Sequence, residues 1–267
     1  MDSDADLAIA VVAAGAEVVA ARYGTALERL DKGAGDFSTN ADVEAEAAML
    51  AVLRRARPSD AVLGEESGRT GAASDERTWL IDPLCGTHNY AARTPVVAVN
   101  AALASSGAYL AAAVADPFAL ELFWTDGRAA FVRAADGDTP LVPSAISGLV
   151  DLNLDPPFSN APTFRAATLA ADDRFNSRFR PRVVSTSLAL AWVATGQRAA
   201  YVTDGDVRAS VHFAAGLALC ESTGCVVTDL RADDWRATGN GLLAAADAET
   251  HAELSALIHA QFERARD

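Results

Sequence analysis

Apolar positions recur at helical spacing near the start of the chain: Leu7, Val11, Ala14 and Val18, with acidic residues in the first turn, predict a helix over 4–23. Asp36-Phe37-Ser38-Thr39-Asn40 reads as a turn that caps a second helix over 41–57, ended by Pro58. A short strand at 61–63 runs into Gly64-Glu65-Glu66-Ser67-Gly68, and residues 69–77 read as a polar loop. A strand at 78–81 then runs into Asp82-Pro83-Leu84-Cys85-Gly86-Thr87. Beyond it the period changes. Four apolar runs, at 96–104, 108–115, 119–125 and 129–133, are separated by Ser106-Gly107, Asp116-Pro117 and Asp126-Gly127, which predicts a meander of antiparallel strands. Residues 135–160 are rich in Pro, Gly, Asp and Ser and read as a linker. After it the pattern predicts helices at 162–172, 187–196, 212–223 and 249–265, with strands at 182–185, 199–203, 225–228 and 242–245. Helix–strand alternation on both sides of a meander predicts a layered α/β fold, with subdomains 1–140 and 141–267 forming one compact unit.

Composition narrows the class of function. A net charge of −14 over 267 residues lacks the basic footprint that nucleic acid or an anionic membrane requires, so neither is expected as a partner. The stretch from Thr94 to Ala115 carries no charge, but Asn100 and the Ser105-Ser106-Gly107 break favour a β-hairpin over a membrane span. Three cysteines with no C-x-x-C pair build neither a disulfide framework nor a zinc ribbon and fit a reducing, cytoplasmic setting. The start, Met1-Asp2-Ser3-Asp4, is acidic where a secretory leader is basic.

Two predicted strand ends present carboxylates, Glu65 and Glu66 after one and Asp82 after the other. Carboxylates at adjacent strand ends can share a hard cation such as Mg²⁺, or can simply cap loops. Gly86-Thr87 follows Asp82-Pro83, where a turn into a short helix offers free amides to an anion. A metal beside an anion seat is the minimum equipment for phosphoryl chemistry. The remaining candidates have bland readings: His251 and His259 as surface residues, Cys220 and Cys225 as core at a helix end, Trp192 and Tyr201 as packing, and the acidic run 229–234 as a solvated face.

These residues resemble a known family. Gly64-Glu65-Glu66-Ser67 is similar to a G-E-E-S motif, and Trp79 through Tyr90 to W-x-I-D-P-[IL]-D-G-T-x-N-[FY]. Ser38-Thr39-Asn40-Ala41-Asp42 resembles [VS]-T-x-x-D, and His212 through Gly224 resembles W-D-x-A-A-G…E-x-G-G. Together, in this order over about residues 5–260, they resemble the inositol monophosphatase-like superfamily of Mg²⁺-dependent, Li⁺-sensitive phosphatases. The resemblance implies an alternating α-β-α-β-α sandwich of the sugar phosphatase type. It implies a first metal held by Glu65, Asp82 and the Leu84 carbonyl, and a water oriented by Thr87 and Asp42. Phosphate would sit on the Gly86 and Thr87 amides, Lys32 near the entrance, and Ser185-Thr186 beside the leaving group. It further implies a small phosphorylated substrate (sugar, inositol or nucleotide phosphate), direct transfer to water, and a homodimer.

The departures are specific. Two family carboxylates of a second metal position are replaced by Cys85 and His212, leaving only Asp82. Mg²⁺ loses charge and ligand type there, so that position is expected to be weak or empty. Three readings stay open: a Zn²⁺ site made of Asp82, Cys85 and His212; a one-metal enzyme in which His212 serves as general acid or phosphate ligand; or a catalytically impaired member that binds a phosphorylated ligand or a protein partner. Thr203 stands where ring-gripping members carry an acid, with Asp204 and Asp206 nearby, so the substrate is not fixed by the resemblance.

Overall fold

The computed structural model describes residues 3–33, 35–71, 76–134 and 137–264. The chain divides into two units: one made of 1–140 with the short segments 186–188 and 211–219, the other of 141–185, 189–210 and 220–267.

The first unit contains, in chain order, α1 (Asp4–Arg22), β1 (Arg29–Gly33), β2 (Asp36–Thr39), α2 (Asn40–Ala56), β3 (Ala61–Gly64), β4 (Gly68–Thr70), β5 (Thr78–Cys85) and α3 (Thr87–Ala91). The meander follows as β6 (Ala98–Ser105), β7 (Ala108–Asp116), β8 (Glu121–Thr125), β9 (Ala130–Ala134) and β10 (Gly137–Pro140). β3 to β10 form one eight-stranded sheet in the order β10-β9-β8-β7-β6-β5-β3-β4. Only β3 and β5 pair in parallel; the other neighbours are antiparallel. α1 and α2 pack on each other and on this sheet, closing a core around Leu7, Val11, Met49, Trp79, Ile81 and Val99. The approach is close at Gly15, where a Cβ would lie 2.8 Å from Val99 and 2.9 Å from the Met49 sulfur. Both helices start on capping boxes, Ser3 with Asp6 and Thr39 with Asp42, which satisfy backbone donors that a helix start leaves free.

The second unit contains β11 (Leu149–Leu152), α4 (Ala166–Ala170), α5 (Asp173–Arg178), β12 (Arg180–Val183), β13 (Ala200–Thr203), β14 (Val226–Thr228), α8 (Trp235–Thr238), β15 (Leu242–Ala245) and α9 (Ala248–Arg264). Most of α6 (Leu188–Ala194) and the last four residues of α7 (Ala214–Thr223) belong to it as well. Its five strands run β12-β11-β13-β15-β14, and its core gathers Val150, Phe164, Phe175, Val202, Leu254 and Phe262. α7 ends in a Schellman motif. Gly224 has φ +81°, Gly224 N–H donates to Glu221 O at 3.2 Å and Cys225 N–H to Cys220 O at 3.0 Å. That motif brings the side chains at its two ends together, and here both are thiols. Cys220 is buried and Cys225 half-exposed.

Several expectations need correction. The segment read as a turn at 36–40 is strand β2, paired with β1, whose five residues are all exposed and carry no alternation for a sequence pattern to reveal. The linker at 135–160 holds β10 and β11; β11 is four residues long and parallel to both neighbours, too short to stand out among turn residues. The helix at 162–172 shortens to α4, with α5 following beyond it, and the polar loop at 69–77 begins as β4, with 72–75 outside the described residues. The uncharged stretch 94–115 is the β6–β7 hairpin, turning through Ser106 (φ +51°) and Gly107 (φ +82°). Among the described residues no helix is long and apolar enough to cross a membrane. The acidic run 229–234 is exposed from Arg231 to Asp234, as expected of a solvated face, but not at its start. Asp229 is fully buried and accepts Arg231 N–H, Asp233 N–H and the Thr238 hydroxyl, while Asp234 caps α8. His251 is half-buried; its Nε2 lies 2.8 Å from the Thr228 hydroxyl, and burial lowers its proton affinity.

Candidate active site

The first unit gathers most of the expected residues around Asp82. β5 runs straight to Asp82, which pairs with Asn100 on β6; the register then slips before Cys85 pairs with Ala98. Such an irregularity re-aims the residues inside it, and Pro83, lacking an N–H, is tolerated there. The Asp82 carboxylate is fully buried and its Oδ1 accepts Leu84 N–H at 3.0 Å. Gly86 follows with φ +106°, and a Cβ there would lie 3.1 Å from the Val96 carbonyl, so both conformation and space require glycine. α3 starts at Thr87.

Asp42 and Thr87 meet. Thr87 Oγ1 donates to Asp42 Oδ1 at 2.9 Å and also lies 3.2 Å from the Leu84 carbonyl. The other Asp42 oxygen accepts Thr39 N–H at 2.8 Å and the Thr39 hydroxyl at 2.6 Å. One aspartate therefore both starts α2 and orients Thr87. Burial raises its proton affinity, against the hydrogen bonds from Thr39 and Thr87.

Glu65 leaves β3 beside β5. Its direction is set by Glu46, a buried acid on α2 whose two oxygens accept Glu66 N–H at 2.8 Å and Ser67 N–H at 2.7 Å. A Cβ on Gly64 would lie 2.7 Å from that carboxylate. Sequence reasoning missed Glu46; the signal was an acid one helical turn after Asp42 on the apolar face of α2. Lys32 Nζ, on β1, donates to Glu65 Oε1 at 2.9 Å and Glu66 Oε1 at 2.8 Å. Burial would lower its proton affinity, but those two carboxylates raise it. The lysine thus stands on the glutamates. Glu65 Oε2 is buried with no hydrogen-bond partner. Burial and the Asp82 charge push the Glu65 carboxyl up to about 8. A buried aspartate and a partly buried glutamate that repel one another, the glutamate with a buried, orphaned oxygen, are hard oxygen donors of the kind that could hold Mg²⁺ together with a backbone carbonyl.

On its other side Asp82 meets different chemistry. His212 lies two residues before α7, and its Nδ1 is 2.8 Å from Asp82 Oδ2. Burial opposes a charge on this ring, but Asp82 overrides it and pushes its pKa up to about 12, while the imidazolium holds Asp82 below the usual carboxylate range. Cys85 Sγ accepts Ser187 N–H at 3.2 Å, and burial, then the Asp82 charge, push its thiol up. Ser187 is anchored through its hydroxyl on Asn100 at 2.9 Å, and Thr186 Oγ1 donates to the Cys85 carbonyl at 3.1 Å. Asp82, Cys85 and His212 offer ligand atoms all within 4.8 Å of one another. Sequence reasoning found this trio but not its support by Ser187 and Asn100, which carried no motif.

Other expected residues have partners of their own. Ser185 belongs to the second unit, where its hydroxyl donates to Asp155. In the same unit Thr203 ends β13, buried; the Asp204 carboxylate accepts Asn160 N–H and its amide, and Asp206 pairs with Arg208. His88 is exposed and packs edge-on against Phe37 at 4.7 Å. An open cavity of about 490 Å³ is lined by Lys32, Glu46, Glu65 and Glu66 and does not reach Asp42, Asp82 or Thr87.

Comparison with known proteins gives a consistent picture. A family model described as "Inositol monophosphatase family" matches residues 1–266. An inositol-1-monophosphatase of Caulobacter vibrioides is 42% identical over 112 residues, which cover 41% of this chain and 44% of that protein. The match thus spans under half the length of that relative. The Nus factor SuhB of Escherichia coli is 30% identical over 252 residues, 88% of each chain. Among solved structures, the inositol monophosphatase of Anabaena superposes with a TM-score of 0.78 at 26% identity, covering 96% of this chain and 95% of that one. The layered α/β fold read from the sequence is the fold of these proteins.

Proposed function

Because the chain belongs to the inositol monophosphatase family, a metal-dependent family acting on small phosphorylated molecules, we propose that it is itself a metal-dependent phosphomonoesterase acting on a small polar phosphate of the sugar, inositol or nucleotide type. The observation that carries this reading is the orphaned Glu65 Oε2 beside Asp82, within the same unit as the Asp42–Thr87 pair. The hard donor set fits a Mg²⁺ ion held by Glu65, Asp82 and the Leu84 carbonyl; when bound, it supplies charge neutralisation and Lewis acidity toward a phosphoryl oxygen.

The remaining steps belong to the protein. The Gly86 and Thr87 amides receive phosphate oxygens and hold the phosphorus in place. Thr87 directs its hydroxyl hydrogen at Asp42 Oδ1, so its oxygen lone pairs are free to accept a hydrogen from the attacking water. As the water oxygen bonds to phosphorus, its proton passes to Thr87 Oγ1 and the threonine proton moves on to Asp42 Oδ1. The burial that raises the Asp42 proton affinity favours that transfer. The P–O bond to the alcohol breaks, and the leaving oxygen, beside Thr186, takes a proton from solvent. Lys32 balances the charge of Glu65 and Glu66 at the rim. The homodimer that the family resemblance implies is part of the proposal, and light scattering tests it.

The test is phosphate release from a panel of small phosphomonoesters by metal-stripped protein resupplied with Mg²⁺, Mn²⁺ or Zn²⁺. Turnover that Thr87→Ala removes supports the reading. Silence from the natural protein beside turnover by the Cys85→Asp/His212→Asp variant overturns it in favour of a binding protein.

A further inference from the structure

The trio on the far side of Asp82 is a built cluster. Its three ligand atoms come from β5, from the irregular end of that strand and from the segment before α7, and they already lie within 4.8 Å of one another. Ligands 2.0–2.3 Å from a common tetrahedral ion sit roughly 3.3–3.8 Å apart, so closure asks for shifts on the order of 1 Å. The outer support that tunes a metal ligand is present too. Cys85 Sγ takes the Ser187 N–H, the bond that stabilises a thiolate; Ser187 is fixed on Asn100; and Asp82 Oδ1 is tied to the Leu84 N–H, which leaves Oδ2 for the ion.

The donor types decide which ion. Mg²⁺ demands about six oxygens in octahedral array and has little affinity for thiolate or imidazole. One carboxylate oxygen, one sulfur and one ring nitrogen is instead a set that Zn²⁺ and Co²⁺ accept in tetrahedral geometry, with a fourth position left open. The residues here do not fit a second Mg²⁺. We propose that Asp82, Cys85 and His212 form a site for a thiophilic divalent ion, Zn²⁺ by donor set, beside the oxygen-rich position of Glu65, Asp82 and Leu84. Binding releases the Cys85 thiol proton and a His212 ring proton to solvent. The inference deepens the phosphatase reading and rests on it only for the role of the ion in turnover; its test uses none.

The probe is Co²⁺, titrated into metal-free full-length protein carrying Cys220→Ala and Cys225→Ala, so that Cys85 is the sole thiol of the original three. The expected result is a near-ultraviolet thiolate-to-cobalt band, with visible d–d absorption of tetrahedral strength, saturating at one ion per chain. One equivalent of Zn²⁺ should erase it, and a roughly hundredfold excess of Mg²⁺ should not. Cys85→Ser should abolish the band, and His212→Gln should weaken Co²⁺ binding at least tenfold. Zinc-edge X-ray absorption of the same double variant should show one sulfur at about 2.3 Å, a readout that does not depend on the Cys85 variant folding. Absence of the band at millimolar Co²⁺, its survival in Cys85→Ser, its loss to Mg²⁺, or a zinc spectrum without sulfur overturns the proposal. Mg²⁺-supported phosphate release would leave the phosphatase reading standing in each of those cases. A sulfur-bound ion in a protein that releases no phosphate would separate the two the other way.

Discussion

Asp82 faces two arrangements that differ in kind. Toward Glu65 it meets another acid, partly buried, and the pair is electrostatically unresolved: burial and like charge push Glu65 up to about 8, and one of its oxygens has no partner. Toward His212 and Cys85 the protein resolves the charge itself, with an imidazolium on the carboxylate and a protonated thiol receiving an N–H. A position whose electrostatics are left open gains most from any cation of the right size. A position already balanced admits only an ion that bonds strongly enough to displace protons, which excludes Mg²⁺ and selects thiophilic metals. The two sides of one aspartate are thus filters for different ions.

The largest effect should come from the residue both sides share. Asp82→Asn is expected to lower phosphate release by about 10³-fold or more, since a lost metal ligand removes several kcal/mol of transition-state stabilisation. It should abolish the Co²⁺–thiolate band as well. Glu65→Gln breaks the symmetry: turnover should fall about 10²-fold or more while the band persists. If Glu65→Gln erased the band, the two sides would be one site and the comparison would collapse. Next in size is the water-orienting pair. Thr87→Ala should cost about 10²-fold in kcat with little change in KM, within the range for a lost proton-transfer partner. Asp42→Asn should cost at least as much in kcat, plus about 1 kcal/mol of stability because the same carboxylate starts α2. Urea unfolding separates the two losses, and the double variant should be no worse in kcat than Asp42→Asn.

How far the sequence reached follows from the same residues. The apolar periodicity of α1 and α2 and the continuous apolar runs of β6 and β7 were plain, because each of these elements is long and well buried. Asp42, Glu65, Asp82 and Thr87 were legible because each ends or starts an element at a turn whose residues are constrained. The β1–β2 hairpin was not legible, since its first strand buries nothing; the position of Lys32 on Glu65 and Glu66 came with it. Glu46 was hidden in a helix whose other buried positions are mostly apolar. Asp229 was misread because a run of acids looks solvated until one sees the backbone amides that fold around the first of them. The proximity of Cys85 to His212 could be expected from a motif, but the amide of Ser187 on the sulfur depends on a contact 102 residues away in sequence, which no local pattern carries.

A smaller effect tests the filter directly. Cys85→Asp with His212→Asp replaces soft donors by carboxylates and should convert the second side to a hard-ion position. The Mg²⁺ concentration that half-saturates turnover should fall about tenfold, and Zn²⁺ should lose its advantage in binding by a similar factor. Calorimetric titration of both ions into both proteins measures this. Unchanged Mg²⁺ dependence would mean that the second side does not communicate with the first.

The smallest effect concerns a buried acid outside the site, and it shows what burial does without a ligand. Asp151 on β11 is fully buried and pairs with Arg198, whose Nε lies at 2.7 Å, with Arg182 adding a weaker attraction and the second Asp151 oxygen unpartnered. Asp82 has more partners and is held below the usual carboxylate range, whereas burial of Asp151 outweighs the arginines and pushes it up to about 6. In an unfolded chain an aspartate titrates near 3.9. Between about pH 4 and 6 the folded protein therefore holds a proton that the unfolded chain has lost, so stability from this group is present below that window and declines as pH rises through it. Asn cannot ionise, and Asp151→Asn should exceed the natural protein in stability by more at pH 7 than at pH 4.5. The expected gain is on the order of 1–3 kcal/mol, read as the difference in urea unfolding between the two proteins at each pH. A variant that is less stable at pH 7 than at pH 4.5, relative to the natural protein, would show that the Arg198 pairing outweighs the burial cost, making Asp151 as well resolved as the His212 side of Asp82.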